Sequence, residues 1–166
     1  MNKPSLSSLL KNRILVLDGA MGTMIQRYSL NEADFRGDEF LNHPVSIKGN
    51  NDLLSITQPK IIGDIHRAYL KAGADIIETN TFSGTVIAQE DYQCENWVDQ
   101  INEMSARIAK EEADSFTLKD PNKPRYVAGS VGPTNKTASI SPDVEDPGFR
   151  AITFDQLKAA FKQQMS

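Results

Sequence analysis

The chain has 166 residues, of which 39% are hydrophobic and 24% charged, the balance of a globular domain large enough to bury a core. Eighteen basic residues against 22 acidic ones leave a net charge of −4, which speaks against a nucleic-acid surface or a polybasic membrane patch. Residues 1–13 carry no continuous apolar stretch of signal-peptide length, and no window approaches the roughly 18 apolar residues of a membrane span, so a cytoplasmic location is expected. A single cysteine, Cys94, excludes an intrachain disulfide and any Cys-rich zinc site made by this chain alone.

Residues 1–12 read as an N-terminal extension. Ile14, Leu15, Val16 and Leu17 then form a continuous apolar run closed by Asp18-Gly19, the pattern of a strand buried on both faces and ending in a turn. A short helix is expected over 21–28. Residues 29–55 mix Asn, Asp, Gly and Pro and are too long for a plain connection, so they should be functional or contain hidden structure. Thr57 is placed to cap a helix with Pro59 in its first turn. Ile61, Ile62, Ile65, Ala68, Tyr69 and Ala72 share a face of that helix, His66 stands beside them, and Gly73 suits a left-handed C-terminal cap.

A second strand over 74–80 follows at once, which is the helix-to-strand step of a parallel sheet. Trp97, Ile101, Met104 and Ile108 recur at helical spacing, and after the breaker at 120–124 a third strand runs over 126–131. Thr153 and Gln156 form a capping box ahead of Phe154, Leu157, Ala160 and Phe161. The fold expected is α/β: the first three βα units of a (β/α)8 TIM barrel, truncated, because a doubly wound domain of this length would normally show five strands.

In parallel α/β folds ligands bind beyond the carboxyl ends of the strands. Three polar clusters lie there: Asp18 to Thr23, Glu78 to Thr81, and Gly129-Ser130 with the residues after Gly132. The first combines a carboxylate with two closely spaced glycines, so an ammonium could meet Asp18 while backbone amides around Gly19, Ala20 and Met21 meet a carboxylate. A plain βα turn with Asp18 as a helix cap fits that motif equally well. Glu78, Thr79 and Thr81 could complete the pocket, or simply hydrogen-bond within the sheet mouth. Neither His43 nor His66 has metal-ligand spacing. Cys94 beside Glu95 should have a raised thiol pKa and not act as a nucleophile.

The run Ile14-Leu15-Val16-Leu17-Asp18-Gly19-Ala20-Met21-Gly22-Thr23 resembles the opening strand and turn of the homocysteine methyltransferase family. Gly49-Asn50-Asn51-Asp52-Leu53-Leu54, Ala72-Gly73-Ala74-Asp75-Ile76-Ile77-Glu78-Thr79-Asn80-Thr81-Phe82 and Ser139-Ile140-Ser141-Pro142-Asp143-Val144 resemble its cobalamin-dependent methionine synthase branch. The resemblance covers residues 12–166, read as part of a homocysteine-binding domain spanning 1–166. It implies an enzyme that transfers a methyl group from methylcobalamin, recharged by 5-methyltetrahydrofolate, to a zinc-bound homocysteine thiolate. The zinc-holding cysteines and a further carboxylate lie on later barrel strands in that family. The segment alone is therefore expected to bind neither zinc nor cobalamin and to be inactive, its partners being homocysteine and the folate, cobalamin and reactivation domains of the same polypeptide. A betaine- or S-methylmethionine-type methyltransferase and a non-catalytic small-molecule-binding module are the alternatives.

Overall fold

Gly73 turns the chain from helix into sheet with φ of 111°, and everything around the site follows from that junction. The computed structural model describes residues 3–165. Three short helices come first, α1 (Leu6–Leu10), α2 (Met21–Gln26) and α3 (Glu32–Arg36), followed by a 3-10 turn over Asn51–Leu53 that runs into α4 (Leu54–Thr57). Helix α5 (Pro59–Ala72) leads through Gly73 into β1 (Ile76–Glu78). Then come α6 (Val86–Gln89), α7 (Val98–Lys119), β2 (Tyr126–Ala128) and α8 (Phe154–Gln164). No helix among the described residues is long and apolar enough to cross a membrane.

Strands β1 and β2 pair in parallel, Ile76 opposite Tyr126 and Glu78 opposite Ala128. On the other edge of β1, Leu17 makes one parallel bridge to Ile76. The Val16 carbonyl accepts from Asp75 and Ile76, and the Asp18 amide donates to the Ile76 carbonyl. Three chain segments therefore lie side by side, but only two form regular strands. The expected strand at 14–17 reduces to that bridge, and the expectation of three full βα units is corrected to two strands and a bridged segment. Its burial is corrected too: Ile14 is 87% exposed, Val16 53% and Leu17 49%, because β1 is its sole partner and nothing described covers these side chains.

The core sits between α4, α5 and α7. Ile62 and Ile65 of α5 meet Leu53, Leu54, Ile101 and Ile108 there, while Leu70, Ala74, Ile77, Ala109 and Ala113 join the sheet to the helices. The buried stripe of α5 differs from the one read off its periodicity, since Ala68 and Ala72 are exposed and His66 is completely buried. Thr57 does not cap α5; it ends α4, and Gln58 is the capping position. The capping box of α8 is present, although Phe154 points to solvent.

Residues 29–55 do contain structure. Asn31 and Asp34 form a reciprocal capping box on α3. Glu32 accepts hydrogen bonds from the Ser46 hydroxyl and the Ile47 and Lys48 amides, which together with Arg36 hold its carboxyl at about 2. Arg36 in turn donates to the carbonyls of Phe40, Leu41, His43 and Val45. These bonds fold the segment onto the core, where Phe35, Phe40 and Ile47 are buried. They also fix the position of the 3-10 turn that follows.

The Gly73 junction has a direct test. An L-residue in the left-handed region costs roughly 1–2 kcal/mol, so Gly73→Ala should lower urea-unfolding stability by about that amount. Substituting exposed Ala72 by serine should change it by well under 1 kcal/mol, as for most surface positions.

Candidate functional site

A cavity of about 690 Å³ opens beyond the carboxyl ends of the Leu17 segment and β1. It falls within the size range of small-molecule sites, roughly 300–1,000 Å³. Asp18, Gly19, Ala20, Met21, Glu78 and Thr79 line it, which brings together six of the seven residues singled out from the sequence. Thr81 lines a neighbouring cavity with Thr79, Ser130 and Gln164.

The sheet positions Asp18. Its Oδ2 accepts from the Glu78 amide at 3.0 Å, while Oδ1 is buried without a hydrogen-bond partner. Burial pushes this carboxyl up to about 6; the Glu78 N–H opposes the rise and the Glu78 charge adds to it. A carboxylate held this way gains from any cation that reaches it. Next to it, Gly19 lies close beneath the Tyr69 ring. A Cβ there would stand 3.1 Å from the Tyr69 hydroxyl, which reaches across to donate to the Ala20 carbonyl at 3.2 Å. The first amides of α2, which have no intrahelical acceptor, receive no side-chain cap from Ala20.

Thr79 and Thr81 form a closed set with Ser130. Thr81 Oγ1 donates to the Ser130 carbonyl at 2.8 Å, and the Ser130 amide donates to Thr79 Oγ1 at 2.9 Å. The two hydroxyls lie 2.6 Å apart. Because the Thr81 proton is engaged with Ser130, Thr79 is the donor of that pair, and neither hydroxyl has a proton left to offer. Both are buried and stitch β1 to β2 at the cavity floor.

The sequence reading missed the wall contributed by the 3-10 turn: Asn50, Asn51 and Asp52, with Ser83 and Tyr92 behind it. Asn50 and Gln89 exchange amide hydrogen bonds at 2.7 and 3.2 Å, and Asn80 donates to the Asn51 carbonyl. Asp52 Oδ2 accepts from the Ser83 amide at 2.6 Å. The available signal was three consecutive polar residues directly before Leu53-Leu54, both fully buried, an arrangement that forces the polar groups inward as well. No Lys, Arg or His is among the residues lining the cavity.

Elsewhere, Cys94 is buried and its thiol is pushed up to about 11, by burial first and the Glu95 charge second, so it is held protonated. His43 Nε2 lies 2.7 Å from the Tyr92 carbonyl and 3.8 Å from Cys94 Sγ. Among the described residues no three His, Cys, Asp or Glu side chains converge in a way that could hold a metal ion.

Residues 15–166 match the sequence profile of the homocysteine S-methyltransferases. The chain belongs to the homocysteine S-methyltransferase family. In three dimensions this family member is similar to crystal structures of the homocysteine methyltransferase MmuM from Escherichia coli. The metallated form shares 21% identity with a TM-score of 0.68, over 96% of this chain and 51% of that one. The oxidized form shares 22% with a TM-score of 0.62, over 95% and 53%. The apo form shares 26% with a TM-score of 0.51, over 77% and 40%. The chain thus spans about half the length of these structures or less. At such identities the two MmuM forms with the higher scores establish a shared fold.

Proposed function

We propose that this segment forms the amino-acid end of a homocysteine pocket in a methyltransferase of the cobalamin-dependent methionine synthase type. Asp18 receives the ammonium of homocysteine, and the amides around Gly19, Ala20 and Met21 receive its carboxylate. Glu78 adds negative charge beside Asp18, while Thr79 and Thr81 hold the floor through Ser130. The observation carrying the reading is the free, buried Oδ1 of Asp18 at the wall of a cavity without basic side chains, in a chain of this family.

In this reading the Leu17 segment, β1 and β2 are the first three strands of a (β/α)8 barrel. Later strands of the same polypeptide cover Ile14, Val16 and Leu17, whose exposure supports such a continuation. Zinc, which would hold the homocysteine sulfur as a thiolate, does not fit the described residues: no ligand cluster exists, and Cys94 is kept as a thiol. We place the metal on residues outside this segment. The folate, cobalamin and reactivation domains are assigned to the same polypeptide, and the location is cytoplasmic. The methionine-synthase-like motifs around Asn50 and Ser139 favour methylcobalamin, recharged by 5-methyltetrahydrofolate, as donor over betaine or S-methylmethionine.

Two measurements test this. Methyl-label transfer to homocysteine by the full-length protein should require cobalamin and 5-methyltetrahydrofolate; transfer from betaine or S-methylmethionine without cobalamin would reverse the donor assignment. Asp18→Asn removes one charge-assisted hydrogen bond worth about 1.5–3 kcal/mol, so homocysteine KM should rise roughly ten- to a hundredfold with zinc content unchanged. An unchanged KM, or loss of zinc, would remove Asp18 from the ammonium site.

A further inference from the structure

Asp52 is the most deeply buried carboxylate of the cavity wall, 4% exposed on a turn whose next two residues are completely enclosed. Its Oδ2 accepts the Ser83 amide, and among the described residues Oδ1 accepts no hydrogen bond and no cation pairs with the carboxylate. Burying a carboxylate with one neutral hydrogen bond is costly, and a purely structural turn would be served as well by asparagine. The turn is held by partners that do not involve this carboxylate: the Asn50–Gln89 pair and the Asn80 bond to Asn51. Asp52 lines the cavity together with Asp18, Glu78 and Tyr92.

We propose that Asp52 is a specificity-determining residue of the pocket, its charge selecting ligands that carry an ammonium group over analogues that lack one. This assignment rests on the pocket being an amino-acid site and adds a second carboxylate to it from a separate segment of the chain. Within a few ångströms of a partly desolvated site a carboxylate acts on a cation without direct contact, because little water screens it. Burial pushes Asp52 up to about 7, with the Ser83 amide opposing, so its charge develops across neutral pH. Of the other groups facing the cavity, Asp18 titrates lower, at about 6, and the Tyr92 phenol is raised by burial, then by the charges of Asp91 and Asp52, and remains neutral.

The test is calorimetric titration of the full-length protein and its Asp52→Asn variant with L-homocysteine and with 4-mercaptobutanoate, the same thiol acid without the amino group. Asparagine keeps the acceptor for Ser83 and removes only the charge. Affinity for homocysteine should fall about tenfold while affinity for 4-mercaptobutanoate stays constant or rises. Wild-type homocysteine affinity should increase as pH rises through about 7, an inflection absent from Asp52→Asn and retained in Asp18→Asn. Equal losses for both ligands would show a structural role and overturn the proposal, as would unchanged homocysteine affinity or a pH inflection that survives in Asp52→Asn. Wild-type protein that fails to bind homocysteine at all would overturn the amino-acid reading itself, a result separable from every variant outcome.

Discussion

Acidification from pH 6.5 to pH 4 is expected to remove about 3 kcal/mol of stability through His66 alone. The ring is completely buried on α5, and neither nitrogen has a hydrogen-bond partner. Burial first, and the adjacent Arg67 charge second, lower its pKa to about 4. The folded state thus refuses a proton that the unfolded chain accepts near 6.5. His66 therefore carries no protonation penalty above that pH, and the penalty grows as pH falls through the window until the folded ring also titrates near 4. Asp18 and Asp52 run the opposite way, since their raised pKa values mean that protonation below about 6 and 7 relieves buried charge. The quantity to measure is the difference between wild type and His66→Leu in urea-unfolding free energy. At pH 7 the variant should equal or exceed wild type, because two unsatisfied buried nitrogens are gone. By pH 4.5 its advantage should have grown by about 2–3 kcal/mol. A difference that does not vary with pH would mean that His66 is hydrated or paired in solution.

Removing Arg13 is the second large effect. Asp75 has a side chain only 2% exposed, accepts two hydrogen bonds of 2.9 Å from the Arg13 guanidinium, and also accepts the Val16 amide. Burial pushes this carboxyl up, and the Arg13 bonds, the Val16 amide and the Lys123 charge more than reverse that, leaving it below its usual value. Stranding the buried carboxylate of such a pair is destabilising, and Lys123, 4.0 Å away, moderates the loss expected for Arg13→Met. Replacing both partners, Arg13→Met with Asp75→Asn, should cost clearly less than the two single changes added together. Chemical denaturation followed by fluorescence of Trp97, the only tryptophan, would read this. Because the pair anchors the segment that ends in Asp18, Arg13→Met should also weaken homocysteine binding. Full affinity in that variant would show that Asp18 is positioned by the β1 bridge alone.

What the sequence determined by itself is local. Pro59 at the first turn of α5, Gly73 at its left-handed end, the Thr153–Gln156 box of α8 and the apolar run entering β1 each act over one helical turn or one strand step, and each is where its residue type predicts. The polar strand ends were legible for the same reason, since parallel topology puts them at one mouth, and six of the seven residues named from them line one cavity. Only the tertiary structure decided the rest. Whether residues 14–17 are buried depends on what covers them, not on their hydrophobicity, and Val16 stays open because among the described residues the segment pairs with β1 alone. His66 sits at a helical position that could face either way, and packing against α4 and α7 turned it inward. Asp52 became part of the cavity wall because Glu32 and Arg36 fold residues 29–48 against the core, through bonds spanning up to 16 residues that no local pattern encodes. The free oxygen of Asp18 likewise arises from a partner 60 positions away, for only the Glu78 amide determines which of its two oxygens is left for a ligand.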